Sequence, residues 1–171
     1  MIEEDRALPV ALEEAHACRF FEDHDGHDFQ PDDKFAWSGE VAEWWRYWTG
    51  DPAARLPPFR VFGRDGSGGL AAFWIRDADV SLETQPIVFL GSEGELKVIA
   101  RDLGDYLWLL ANGVGPLETV DGIHRVPAPI PELVTIARRY TGTAPRSVQT
   151  LIAAADAELP ALTLLVDAST R

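Results

Sequence analysis

The stretch Phe59-Arg-Val-Phe-Gly-Arg-Asp65-Gly-Ser-Gly-Gly-Leu70-Ala-Ala-Phe-Trp-Ile75 decides the fold. Apolar, β-prone residues on either side of Gly66-Ser-Gly-Gly69 read as two strands joined by a tight turn, where glycine supplies the positive φ that a short connection needs. Pro86-Ile-Val-Phe-Leu90, the turn Gly91-Ser-Glu-Gly-Glu95 and Leu96-Lys-Val-Ile-Ala100 repeat the pattern as a second hairpin. No crossover helix separates the two, so the strands are expected to be antiparallel and consecutive.

Helical patterns flank this core. Towards the N-terminus, Ala7–Glu22 reads as one helix with Leu8, Leu12, Ala15 and Cys18 near one face, and residues 23–33 read as a polar loop. Ser38 is placed to cap a second helix whose Val41, Trp44, Trp45 and Trp48 recur at i, i+3, i+4 and i+7, with Glu40, Glu43 and Arg46 opposite and Gly50 as the stop. Such a stripe is usually core, and one of its members, Trp45, is a candidate anchor for a partner surface. Towards the C-terminus, Asp102 caps a helix carrying Leu103, Tyr106, Leu107 and Leu110, closed at Asn112-Gly113. Two more helices are expected near 131–140 and 146–158. The expected fold is therefore α+β: an antiparallel β-sheet built from consecutive hairpins, with helices packed on one side.

The chain has 171 residues, 28 acidic and 15 basic side chains and a net charge of −13. That length fits one domain over 1–171, with an N-terminal acidic helical segment 1–50 and a C-terminal helical segment 120–171. Residues 1–33 hold eleven acids against Arg6 and Arg19, so −9 of the charge lies there. Acidity argues against nucleic acid and anionic membranes, which demand clustered Lys and Arg, and favours a cationic protein partner. Cys18 is the only cysteine, no apolar run approaches about 18 residues, and the first residues are acidic where a signal peptide is basic. A cytoplasmic location is the expectation.

The chain carries several partial motifs for chemistry, and each falls short of its full pattern. His24 and His27 sit i, i+3 in a probable loop with no distant third ligand, and the same segment fails as an EF-hand, with Asp28 at the glycine position and Lys34 at the glutamate position. Gly66-Ser-Gly-Gly-Leu-Ala71 matches G-x-G-x-x-A in letters but opens a strand, not a helix. Neither Ser67 nor Ser92 lies in G-x-S-x-G. No catalytic constellation, metal site or cofactor is expected.

Phe59-Arg-Val-Phe-Gly63 with Asp65-Gly-Ser-Gly-Gly69, Gln85-Pro-Ile-Val-Phe-Leu-Gly-Ser-Glu-Gly-Glu95 and Ala100-Arg-Asp-Leu-Gly-Asp-Tyr-Leu-Trp-Leu-Leu110 resemble the SUKH superfamily of Smi/Knr-type domains over about 56–116. The resemblance departs at Arg64 and Gly69 and lacks the family's N-terminal helix ending in Leu-Pro. It implies an α+β domain without enzymatic activity. Bacterial members look like immunity proteins of polymorphic toxin systems, which bind and block a toxin, often a nuclease. On that reading Glu22, Asp23, Asp25 and Asp28 would form an acidic rim around an aromatic anchor such as Trp45. The competing expectation is a cytoplasmic regulatory or scaffold protein of the same fold with an endogenous partner. A secreted-toxin gene next door would favour the first, an isolated gene the second.

Overall fold

A computed structural model describes residues 4–22 and 28–170, apart from the side chain of Glu22. Strands β1 (Gln30–Pro31), β2 (Phe59–Arg64), β3 (Leu70–Trp74), β4 (Ile87–Leu90) and β5 (Leu96–Ala100) form one sheet in sequential order, every neighbour antiparallel. The register pairs Phe59 with Trp74, Leu70 with Leu90, and Val88 with Val98. The fold is α+β, with both expected hairpins in place.

The helices α1 (Val10–His16), α2 (Arg19–Glu22), α3 (Ser38–Thr49), α4 (Leu103–Ala111), α5 (Glu118–Asp121), α6 (Pro131–Thr141), α7 (Val148–Asp156) and α8 (Leu159–Asp167) cover both faces of this sheet, not one. Alternation along the strands sends Phe62, Ala71, Phe73, Ile87, Phe89 and Ile99 into a core shared with α1, α4 and α6. Phe59, Val61, Leu70, Ala72, Trp74, Val88, Leu90 and Val98 enter a second core with α3, the end of α7 and α8. The reason for the correction lies in the strands themselves: all five residues of β3 and all four of β4 are buried and apolar, so neither face tolerates water.

Local signals place several elements. Asp102 accepts a hydrogen bond from the Asp105 amide at 2.8 Å and starts α4, which is buried on nearly all sides and packs on α1, α6, α7 and β5. Asp102→Ala is expected to cost about 1 kcal/mol of stability, read as a lower denaturation midpoint in urea. Gly113, at φ 79°, ends that helix with its Cα facing the Ala128 carbonyl, where a Cβ would sit 2.2 Å from the oxygen.

Four other expectations are corrected. Ser38 is the first residue of α3, not its cap; its amide and hydroxyl are held by the Glu4 carboxylate at 3.2 and 3.0 Å. The Ala7–Glu22 helix breaks at Ala17–Cys18, which turns Phe20 into the core. The polar loop over 23–33 contains β1, paired to β2 through Gln30–Arg64 and Pro31–Gly63. The helix expected near 146–158 is α7, which ends at Asp156, and a further helix, α8, follows it; residues 148–167 together hold an 18-residue window of mean hydropathy 1.3, long and apolar enough by composition to cross a membrane. Here Leu151, Ala155, Leu162 and Val166 are buried in the two cores, while Asp156 and Glu158 are ion-paired to Lys97 and Arg76.

Candidate functional site

The β2–β3 and β4–β5 turns lie at the same end of the sheet, and α3 crosses them. Trp44 donates its indole N–H to the Gly68 carbonyl at 3.2 Å and Trp48 donates to the Gly91 carbonyl at 2.7 Å. The two rings stack at 5.5 Å, and Trp48 stacks on Trp45 at 5.6 Å. Ser92 donates its hydroxyl to that of Ser67 at 3.1 Å, which ties one turn to the other. Within the first turn Asp65 accepts the Ser67 and Gly69 amides at 2.9 and 2.7 Å, so its carboxylate is fixed in the loop.

This rigid end is rich in carboxylates. Asp28, Asp65, Ser67, Asp121, His124 and Arg125 line a cavity of about 460 Å³ between the β2–β3 turn and α5. Arg125 is committed to the buried Glu118 carboxylate at 2.8 and 3.0 Å and also bonds the Gly113 carbonyl. Glu93 and Glu95 stand exposed on the adjoining turn. Among the described residues Asp28, Asp65, Glu93, Glu95 and Asp121 form no ion pair. The excess of unpaired carboxylates leaves this end negatively charged.

A second cavity, of about 590 Å³, opens at the start of α4 over Val10, Leu103, Leu107 and Trp108. Its polar centre is Asp105, only 7% exposed, held by Arg101 at 2.8 Å and by Arg146. That triad joins the β5–α4 corner to the α6–α7 connection; two guanidiniums satisfy one buried carboxylate, which is a structural clamp.

The groups that carry chemistry in many proteins are withdrawn from it here. The Cys18 thiol, 2% exposed, is pushed up to about 12 by burial and then by the Glu132 and Glu14 carboxylates. His16 is enclosed by Phe21, Phe29, Phe62 and Tyr106, with Nε2 at 2.9 Å from the Tyr106 hydroxyl and Nδ1 shut from solvent without a partner. Burial holds its imidazole down to about 3. No group of three or more His, Cys, Asp or Glu side chains among the described residues is placed to hold a metal ion.

Of the residues singled out from the sequence, Asp23 and Asp25, with His24, His27 and the side chain of Glu22, lie outside the described residues. Asp28 is described: it is exposed, at φ 59°, and lines the acidic cavity. Trp45 is corrected from anchor to core, 2% exposed and edge-on to Phe59 at 5.5 Å. The aromatic residue that α3 does present is Tyr47, 90% exposed. It falls off the 41/44/45/48 stripe, and that offset was the available signal.

The architecture is an α+β meander with a carboxylate-lined turn end. Comparison with protein-family models, with curated proteins and with solved structures found no match.

Proposed function

We propose that this protein is a non-enzymatic binding module for a basic protein partner, engaged through the carboxylates around the turn end of the sheet. The observation that carries the reading is the set Asp28, Asp65, Glu93, Glu95 and Asp121, which converge at one end without ion pairs among the described residues. Desolvating such charges is unfavourable unless opposite charge replaces the water, so the surface selects a cationic protein and steers its approach. The withdrawn Cys18 and His16 support a binding role over a catalytic one.

The more specific form of the proposal is an immunity protein that masks a cationic, nuclease-type toxin. Its ground is the resemblance of residues 56–116 to the SUKH superfamily quoted above. A nuclease must offer Lys and Arg to phosphates, and an acidic inhibitor competes for that surface. Affinity capture of the partner at low salt, followed by its identification and assay, tests both levels. A basic nuclease inhibited by stoichiometric addition of this protein is the expected result. A basic partner without toxic activity would remove the immunity form, and an acidic or uncharged partner would overturn the proposal.

A further inference from the structure

The outer face of α3 combines two features. Tyr47 is the most exposed aromatic side chain among the described residues, at 90% against 43% for Trp37 and 40% for Tyr140. Glu43 and Glu40, one and two helical turns before it, are exposed and form no ion pair among the described residues. Residues four apart on a helix are neighbours, so the Glu43 carboxylate and the Tyr47 ring share one patch. Arg46, also exposed, turns its Nε to the Ala54 carbonyl at 3.3 Å.

The helix that carries the patch is fastened on its other side. The inner side of the same helix is fastened through Trp44 and Trp48 to the carbonyls of both turns, and Trp48 stacks on both Trp44 and the buried Trp45. A helix already in place leaves no backbone to order on binding, and tyrosine has only two side-chain torsions to lose, which suits an interface anchor. Tyr47 adds nothing to the core at that exposure.

We propose that this face of α3 is the docking surface for an arginine-bearing segment of the basic partner, with the guanidinium stacked on Tyr47 and paired to Glu43. The inference rests on the acidic-module reading above and adds to the turn-end carboxylates a second contact, on α3, and the residue type it takes. A guanidinium satisfies both features at once: its plane stacks on an aromatic ring while its edge donates to a carboxylate, whereas an ammonium is a strongly hydrated point charge.

The test titrates the full chain at low salt with an oligo-arginine peptide and an oligo-lysine peptide of equal length, by calorimetry. Oligo-arginine is expected to bind more tightly. Tyr47→Ala should weaken it about tenfold and bring the two peptides level, and Tyr47→Phe should retain the preference. Glu43→Gln should weaken oligo-arginine severalfold, while Asp79→Asn, the same charge change in the exposed β3–β4 connection at the other end of the sheet, should not. If Tyr47→Ala binds oligo-arginine as the wild type does, or Asp79→Asn costs as much as Glu43→Gln, the docking surface is overturned and the acidic-module reading stands. If neither peptide binds the wild type, both fall.

Discussion

Replacing Trp45 by alanine is expected to lower the free energy of unfolding by about 3–5 kcal/mol, read as a reduced midpoint at unchanged slope in urea denaturation. The side chain is 2% exposed, lies in the core between α3 and the sheet, stacks on Trp48 and meets the edge of Phe59. Its removal leaves a cavity under the helix and withdraws the support beneath Trp48. A domain holds only about 5–15 kcal/mol in all, so this variant should be the least stable of the α3 series. Tyr47→Ala, two residues on but 90% exposed, should change stability by about 0.5 kcal/mol or less. A loss below about 1 kcal/mol for Trp45→Ala would show that the indole is not part of the core.

Acid should destabilise the protein from about pH 6.5 downward. The His16 imidazole falls from the ordinary 6.5 to about 3 because its aromatic enclosure cannot solvate the cation. Glu13, Asp32 and Asp33 line a small cavity together with His16, and burial still decides the direction of its shift. The folded state therefore keeps the ring neutral where the unfolded chain takes up a proton. The stabilisation is complete above about pH 6.5 and is lost as pH falls from there towards 3. Each pH unit inside that window costs about 1.4 kcal/mol. Between pH 6.5 and 4.5 the unfolding free energy should drop by about 2–3 kcal/mol in the wild type. His16→Phe should start lower, since the buried Tyr106 hydroxyl loses its partner, and lose that much less across the same range. Equal slopes for the two proteins would remove His16 as the cause.

How far the sequence could be read depends on whether the deciding interaction is local. The hairpin turns, the Asp102 cap and the Asn112-Gly113 stop depend on φ angles and amides within four residues, and each stands where the residues imply. Coverage of both sheet faces was also written in the chain. Leu70-Ala-Ala-Phe-Trp74 and Ile87-Val-Phe-Leu90 contain no polar residue, while a sheet wetted on one face alternates. By contrast, β1 is two residues long in a polar segment, and its place comes from pairing with β2 some thirty residues away. Ser38 lost its capping role to Glu4, a carboxylate 34 residues distant. Helix α8 hides behind Pro160, which a helix accepts in its first turn.

The site followed the same division. Acidity is visible as composition, concentrated in the first 33 residues. The convergence of Asp28, Asp65, Glu93, Glu95 and Asp121 depends on two hairpins ending together beside α5, which no local pattern encodes. Tyr47 was within reach, as a large aromatic displaced from an otherwise regular stripe.

The most direct measurement of the central claim is affinity for the captured partner across a range of ionic strength. It compares the wild type with a variant carrying Asp28→Asn, Glu93→Gln, Glu95→Gln and Asp121→Asn. The account predicts wild-type affinity that falls steeply with added salt, and a variant about tenfold or more weaker at low salt with a much flatter dependence. Equal affinities with the same salt response would contradict it.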